Sequence, residues 1–199
     1  MCTRKVGITG GIGSGKTTIT RIFSLLGIPI YDADKKAKQL MTDHLEVRNQ
    51  VIELLGIESY TDDGQLNRSF IGQKIFNNTS LRNQLDAIVH PAVHRDFHRW
   101  AEAQTESQYV IDEAALIFES GGFQHLDKII LVTAPVELRI NRVMKRNSVK
   151  KEAVLNRMNA QWKDEKKLPL SDFVIVNDGR SPLIRQVLEI HHLLIRENV

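Results

Sequence analysis

The string Gly10-Gly11-Ile12-Gly13-Ser14-Gly15-Lys16-Thr17 fits the pattern G-x-x-x-x-G-K-[ST] and constrains the fold more than any other feature of the chain. The pattern works where a strand delivers the chain into a loop and a helix carries it away. Lys5 to Thr9 is a short apolar run suited to a buried strand, and Thr17 to Leu26 reads as a helix ended by Gly27. Glycines let the backbone wrap closely enough for its N–H groups to face phosphate oxygens. The helix N-terminus adds partial positive charge. Gly11, Ile12, Gly13, Ser14, Gly15, Lys16, Thr17 and Thr18 are the candidate nucleotide contacts. Lys16 is expected to reach the β- and γ-phosphates, with the Thr17 hydroxyl placed to hold Mg²⁺. A fortuitous match would arise in roughly one chain in a hundred of this size.

The rest of the sequence supplies more of the same pattern. Ile28-Pro29-Ile30-Tyr31 reads as a second strand finishing at Asp32-Ala33-Asp34. From about Ala37 to Gln104 the periodicity is helical, clearest at Leu45–Leu55, Arg68–Phe76 and Thr79–Val89, with a turn at Asp62-Asp63-Gly64. Strand character returns at Tyr109–Asp112, Lys128–Thr133 and Phe173–Val176. Pro135 is placed to open a long helix in its first turn, and Pro182 to start the C-terminal one. Strands alternating with helices imply a parallel, doubly wound α/β sheet of five strands. The long helical stretch between the second and third strands reads as an insertion. Phe70, Phe76, Leu81, Leu85 and Ile88 are expected core positions within it.

The 199 residues are enough for one such domain with an insertion. Cys2 is the single cysteine, so an intrachain disulfide and a zinc–cysteine cluster are excluded, and a reducing cytoplasmic setting is expected. No apolar run reaches the length of a membrane helix, and the N-terminus lacks the apolar stretch of a signal peptide. A net charge of +3 with 6% aromatic residues suits a small polyanion better than a nucleic-acid duplex.

Neither the Asp-x-x-Gly nor the Asn-Lys-x-Asp string of a GTPase occurs, so a small-molecule kinase is the expected class. Asp32 lies at the C-terminal end of a strand, where open α/β sheets bind ligands. From spacing alone it is equally a catalytic carboxylate or the cap of the next helix. Arg139, Arg142 and Arg146 share one helical face, either as a lid over polyphosphate or as a solvated basic surface. Asp112-Glu113 could hold Mg²⁺ through water or serve a turn. His90, His94 and His98 repeat at helical turns and read as a surface stripe sooner than a metal site.

Several further strings resemble the dephospho-CoA kinase family, nearly end to end. These are Thr9 to Lys16, Asp32-Ala33-Asp34, Asp63-Gly64-Gln65-Leu66-Asn67-Arg68, His90-Pro91, Leu116-Ile117-Phe118-Glu119, Arg142 and Arg146, Gln161, Ser171-Asp172 and Asn177-Asp178-Gly179. The resemblance implies a P-loop kinase fold with a helical substrate-binding insertion at approximately 35–107 and a helical lid at approximately 138–160, within one domain over 1–199. It implies phosphorylation of the ribose 3′-hydroxyl of dephospho-CoA, using ATP and Mg²⁺, to give coenzyme A. Asp32 would be the base, and Lys16, Arg142 and Arg146 would stabilise the transferring group. Arg68, His90, Leu116, Ile117 and Glu119 would face the acceptor, and Asn177 would lie beside adenine. No nucleic-acid or membrane partner is implied, and the chain would be a monomer or small homo-oligomer. The stretch from Glu113 to Ile117 lacks the proline common there in the family, Asn147 replaces a common acidic residue, and Arg139 replaces a common glutamine.

Overall fold

A computed structural model of the chain describes residues 3–76 and 78–196, and Cys2 lies outside them. The elements run β1 (Arg4–Thr9), α1 (Lys16–Leu25), β2 (Ile30–Asp32), α2 (Ala33–Asp43), α3 (Leu45–Leu55), α4 (Arg68–Phe76) and α5 (Thr79–Glu102). They continue with β3 (Tyr109–Glu113), β4 (Lys128–Thr133), α6 (Val136–Asn147), α7 (Lys151–Asn159), α8 (Asp164–Lys167), β5 (Phe173–Val176) and α9 (Leu183–Arg196). The strands form one five-stranded parallel sheet in the order β2-β3-β1-β4-β5. β1 is central, with Val6 opposite Ile111 on one side and Lys128 on the other.

A central parallel strand is covered on both faces, which is why its sequence is an apolar run without alternation. Val6 and Ile8 are fully buried. They belong to a core that includes Ile19 and Phe23 of α1 and Val187, Ile190 and Leu194 of α9. Each of these side chains contributes about 1.5–3 kcal/mol over its exposed state. That packing fixes β1 and α1, and so fixes the two ends of the glycine loop. Phe23 meets Tyr109 edge-on at 6.4 Å. The Tyr109 hydroxyl lies 2.7 Å from His191 Nδ1. Burial pushes the Tyr109 phenol up, while burial and neighbouring His192 push the His191 imidazole down. Both shifts favour neutral groups.

Element limits moved where proline or a helix end intervenes. Ile28 N–H still bonds back to Phe23 O at 3.2 Å, so it completes the turn after α1. Pro29 has no N–H to give, although its carbonyl accepts from Ile111 at 3.0 Å, and β2 starts only at Ile30. Pro135 has an extended ψ of 137° and precedes the first turn of α6, accepting from Arg139 N–H. At the edge of the sheet, the Gln186 carboxamide accepts from Val176 N–H at 2.8 Å and donates to Val176 C=O at 3.1 Å. This covers a peptide that an edge strand would otherwise expose.

The chain divides into two compact units, residues 1–31 with 101–199, and residues 32–100. The second is helical, with Val47, Val51, Leu55, Ile71, Leu85, Val89 and Phe97 buried. Tyr60 is buried beneath the Arg48 guanidinium, 4.2 Å from the ring centroid, and donates to Met41 O at 2.7 Å. Phe76 does not join this interior and is 69% exposed. It stands five residues, about 140°, around α4 from buried Ile71. Pro91 sits within α5, which runs on past Val89 to Glu102. Among the described residues, no helix is long and apolar enough to cross a membrane.

Candidate active site

The loop between β1 and α1 ends on a helix start that has no cap of its own. Gly15 occupies the cap position in a left-handed conformation, with φ 99°, so no side chain satisfies the first N–H groups. No acidic residue lies in the first turn. The positive end of the helix dipole is therefore left for an anion from outside. A β-carbon at Gly15 would also collide with the Asn177 amide. Only glycine meets both demands.

Lys16 Nζ donates to Gly10 O at 2.9 Å, which folds its stem over the loop. Thr17 Oγ1 donates to Glu113 Oε1 at 2.8 Å, and Thr20 Oγ1 to Glu113 Oε2 at 2.7 Å. Of the two sequence readings of Asp112-Glu113, the observed contacts of Glu113 are these two hydroxyls. Because Thr17 spends its proton on Glu113, its lone pairs remain for a cation. Hydroxyl and carboxylate oxygens at a helix start suit a small, hard divalent ion.

The arginines of α6 face the loop, each in its own way. Arg139 is buried, donates from Nε to Ile12 O at 3.0 Å, and pairs with Asp164 at 3.4 Å. Arg142 Nη1 lies 3.4 Å from the carbonyls of Gly13 and Ser14, and Nη2 donates to Asn177 Oδ1 at 3.0 Å. Asn177 Nδ2 in turn donates to Ser14 O at 2.7 Å. A solvated basic face is thus excluded for Arg139 and Arg142. Arg146 remains exposed, with Nε bonded to Asn147 Oδ1. A cavity of about 340 Å³ opens beside the loop, its wall carrying Lys16, Arg21, Arg142 and Arg146. Four cations and no carboxylate line it, a field suited to a polyphosphate.

The dephospho-CoA kinase family model matches residues 4–182 of this chain. The chain belongs to the dephospho-CoA kinase family. The dephospho-CoA kinase of Bacteroides fragilis strain YCH46 is 34% identical over 186 residues, covering 94% of this chain and 90% of that protein. A crystal structure from Thermus thermophilus superposes with a TM-score of 0.85 at 30% identity, covering 97% of this chain and 98% of that one. The dephospho-CoA kinase from Campylobacter jejuni superposes with a TM-score of 0.71 at 25% identity, covering 98% of each chain. The family implies use of ATP.

The remaining residues that resemble the family sit as follows. Asp32 closes β2 and caps α2, its Oδ1 accepting from Lys35 N–H at 2.9 Å. Asp63 to Arg68 form a turn in which Gly64 has φ 79° and Asn67 Oδ1 accepts from Phe70 N–H, launching α4. The Thr61 hydroxyl, bonded to Asp63, helps hold that carboxyl below its ordinary range. Arg68 is exposed at the first position of α4. His90, partly exposed on α5, stands 3.8 Å from Asp86. Leu116 is 39% exposed, whereas Ile117 and Phe118 pack into a buried cluster with Ile129. Glu119 Oε1 accepts from Trp162 N–H at 2.8 Å and pairs with the fully buried Lys167 at 2.9 Å.

Sequence reasoning missed Arg21 as a wall of the cavity. Its place one turn beyond Thr17 is the signal that could have found it. It also missed Lys167, because a lysine within Asp-Glu-Lys-Lys reads as surface.

Proposed function

We propose that the chain transfers the γ-phosphoryl group of ATP to the ribose 3′-hydroxyl of dephospho-CoA. The observation that carries the reading is the uncapped start of α1, facing a cavity walled by four cations, in a member of this family. Loop N–H groups and Lys16 hold the β- and γ-phosphates and stabilise charge as it spreads over the transferring group. Mg²⁺, when bound through Thr17, would offset the negative charge shared by the β- and γ-oxygens. Asp32 takes the proton of the 3′-hydroxyl while its oxygen bonds to phosphorus and the bond to the ADP oxygen breaks. Oδ1 accepts a single N–H at the cap, which leaves the carboxylate with lone pairs for this proton. Arg146, exposed at the end of α6, supplies a further cation from a lid over 138–160. Arg142 acts from the carbonyl side of the loop, holding its shape together with Asn177, which lies beside adenine.

The insertion at 35–107 holds the CoA moiety, with Arg68, His90 and Leu116 presented to it. Ile117, buried with Ile129, and Glu119, paired with Lys167, hold the turn that carries Leu116. ADP release by the purified protein with ATP and Mg²⁺ tests the acceptor. Dephospho-CoA is expected to stimulate release by ~100-fold or more, as alignment of a bound hydroxyl requires. A nucleoside monophosphate in its place should leave the rate near that of water alone. Stimulation by the monophosphate and not by dephospho-CoA would overturn the assignment.

A further inference from the structure

The crest of the glycine loop is the Ile12 peptide, and side chains grip it at both ends. Ile12 N–H donates to Gln161 Oε1 at 2.8 Å. Ile12 C=O accepts from Arg139 Nε at 3.0 Å. Arg139 is buried and braced by Asp164, three residues beyond Gln161. The connector carrying Gln161 and Asp164 is itself fixed, since Trp162 N–H bonds Glu119, and Glu119 pairs with buried Lys167. A β-carbon at Gly11 would collide with the Arg139 guanidinium, so glycine there makes room for this grip.

We propose that Gln161 is a positioning residue for the nucleotide, setting the loop crest through Ile12 while Arg139 holds the opposite end of the same peptide. A loop of glycines has little intrinsic preference for the cradle shape, so external bonds must select it. With Ile12 N–H turned toward Gln161, that amide is withdrawn from the phosphate-facing set and the direction of the crest is defined. Arg142 and Asn177 do the same for the carbonyls of Gly13 and Ser14 on the descending limb.

The inference rests on the kinase reading only in that the loop receives a nucleotide, and its test needs no acceptor. Gln161→Met keeps the length of the side chain and removes the amide acceptor, whereas Gln161→Glu keeps an acceptor oxygen. In ¹⁵N-labelled protein, exchange of the Ile12 amide proton should quicken by about tenfold in the Met variant and stay slow in the Glu variant, the β1 amides being unchanged in both. The Kd for ADP should rise by about fivefold to tenfold in the Met variant, the scale of one hydrogen bond, with the melting temperature preserved. Unchanged Ile12 exchange in Gln161→Met would overturn the contact. Faster exchange with unchanged ADP affinity would overturn the positioning role. If the wild-type protein fails to phosphorylate dephospho-CoA yet these contrasts hold, the acceptor assignment falls and the role of Gln161 stands.

Discussion

Lys16→Ala should lower kcat by about 10²–10³-fold while leaving the fold in place. The lysine brings a full positive charge to phosphates whose negative charge is greatest as the group transfers. Losing one donor aimed at developing charge costs about 3–4 kcal/mol in the barrier. The structural cost is small by comparison. Lys16 begins α1 at a half-buried position, where alanine is an excellent helix former, and its bond to Gly10 O is made to one loop carbonyl. Steady-state kinetics beside a thermal melt separates the two effects. Turnover within about twofold of wild type would remove Lys16 from phosphoryl transfer, because positioning alone does not survive loss of the cation.

Asp32 offers a sharper separation, because the sequence allowed two roles and the structure shows one of them directly. Its carboxylate caps α2 through Lys35 N–H. Asparagine caps a helix as well as aspartate does, so Asp32→Asn keeps the fold and removes only the proton acceptor. A base lost from such a step lowers kcat by about 10²–10⁴-fold. Asp32→Ala should lose the same activity and about 1 kcal/mol of stability besides. If Asp32 were only a cap, the loss of turnover would disappear: the Asn variant would turn over normally and the Ala variant would merely melt earlier. The comparison of kcat with melting temperature across both variants decides the matter.

Much of the fold was legible because the signals were local. The glycine string, the limits of α3 and α4, and the apolar runs at Lys128–Thr133 and Phe173–Val176 each depend on residues close in sequence. Helical spacing placed Arg139, Arg142 and Arg146 on one face but carried no information about what that face meets. Charge suggested solvent, whereas Arg139 is buried because the loop carbonyl of Ile12 and the Asp164 carboxylate, distant in sequence, satisfy it. Glu113 has the same history. Its partners Thr17 and Thr20 lie in the first turns of α1, brought near by the parallel pairing of β1 with β3. Phe76 shows the converse, an apolar residue whose angular position on α4 leaves it exposed although its type suggested burial.

The parts that escaped the sequence are those in which polar side chains answer backbone groups across long separations. Gln161 with Ile12, Asn177 with Ser14, and Glu119 with Trp162 are of this kind, and Glu119 also pairs with the Lys167 side chain. A buried lysine is retained only when a carboxylate offsets its desolvation, and no sequence pattern announces which carboxylate that is.

The most direct measurement is the site of phosphorylation in the product formed from ATP and dephospho-CoA, read by ³¹P NMR with correlation to the ribose protons. A single new phosphomonoester coupled to the proton on the ribose 3′ carbon is expected, appearing in step with ADP. A phosphate on any other hydroxyl, or ADP formed with only inorganic phosphate beside it, would contradict it.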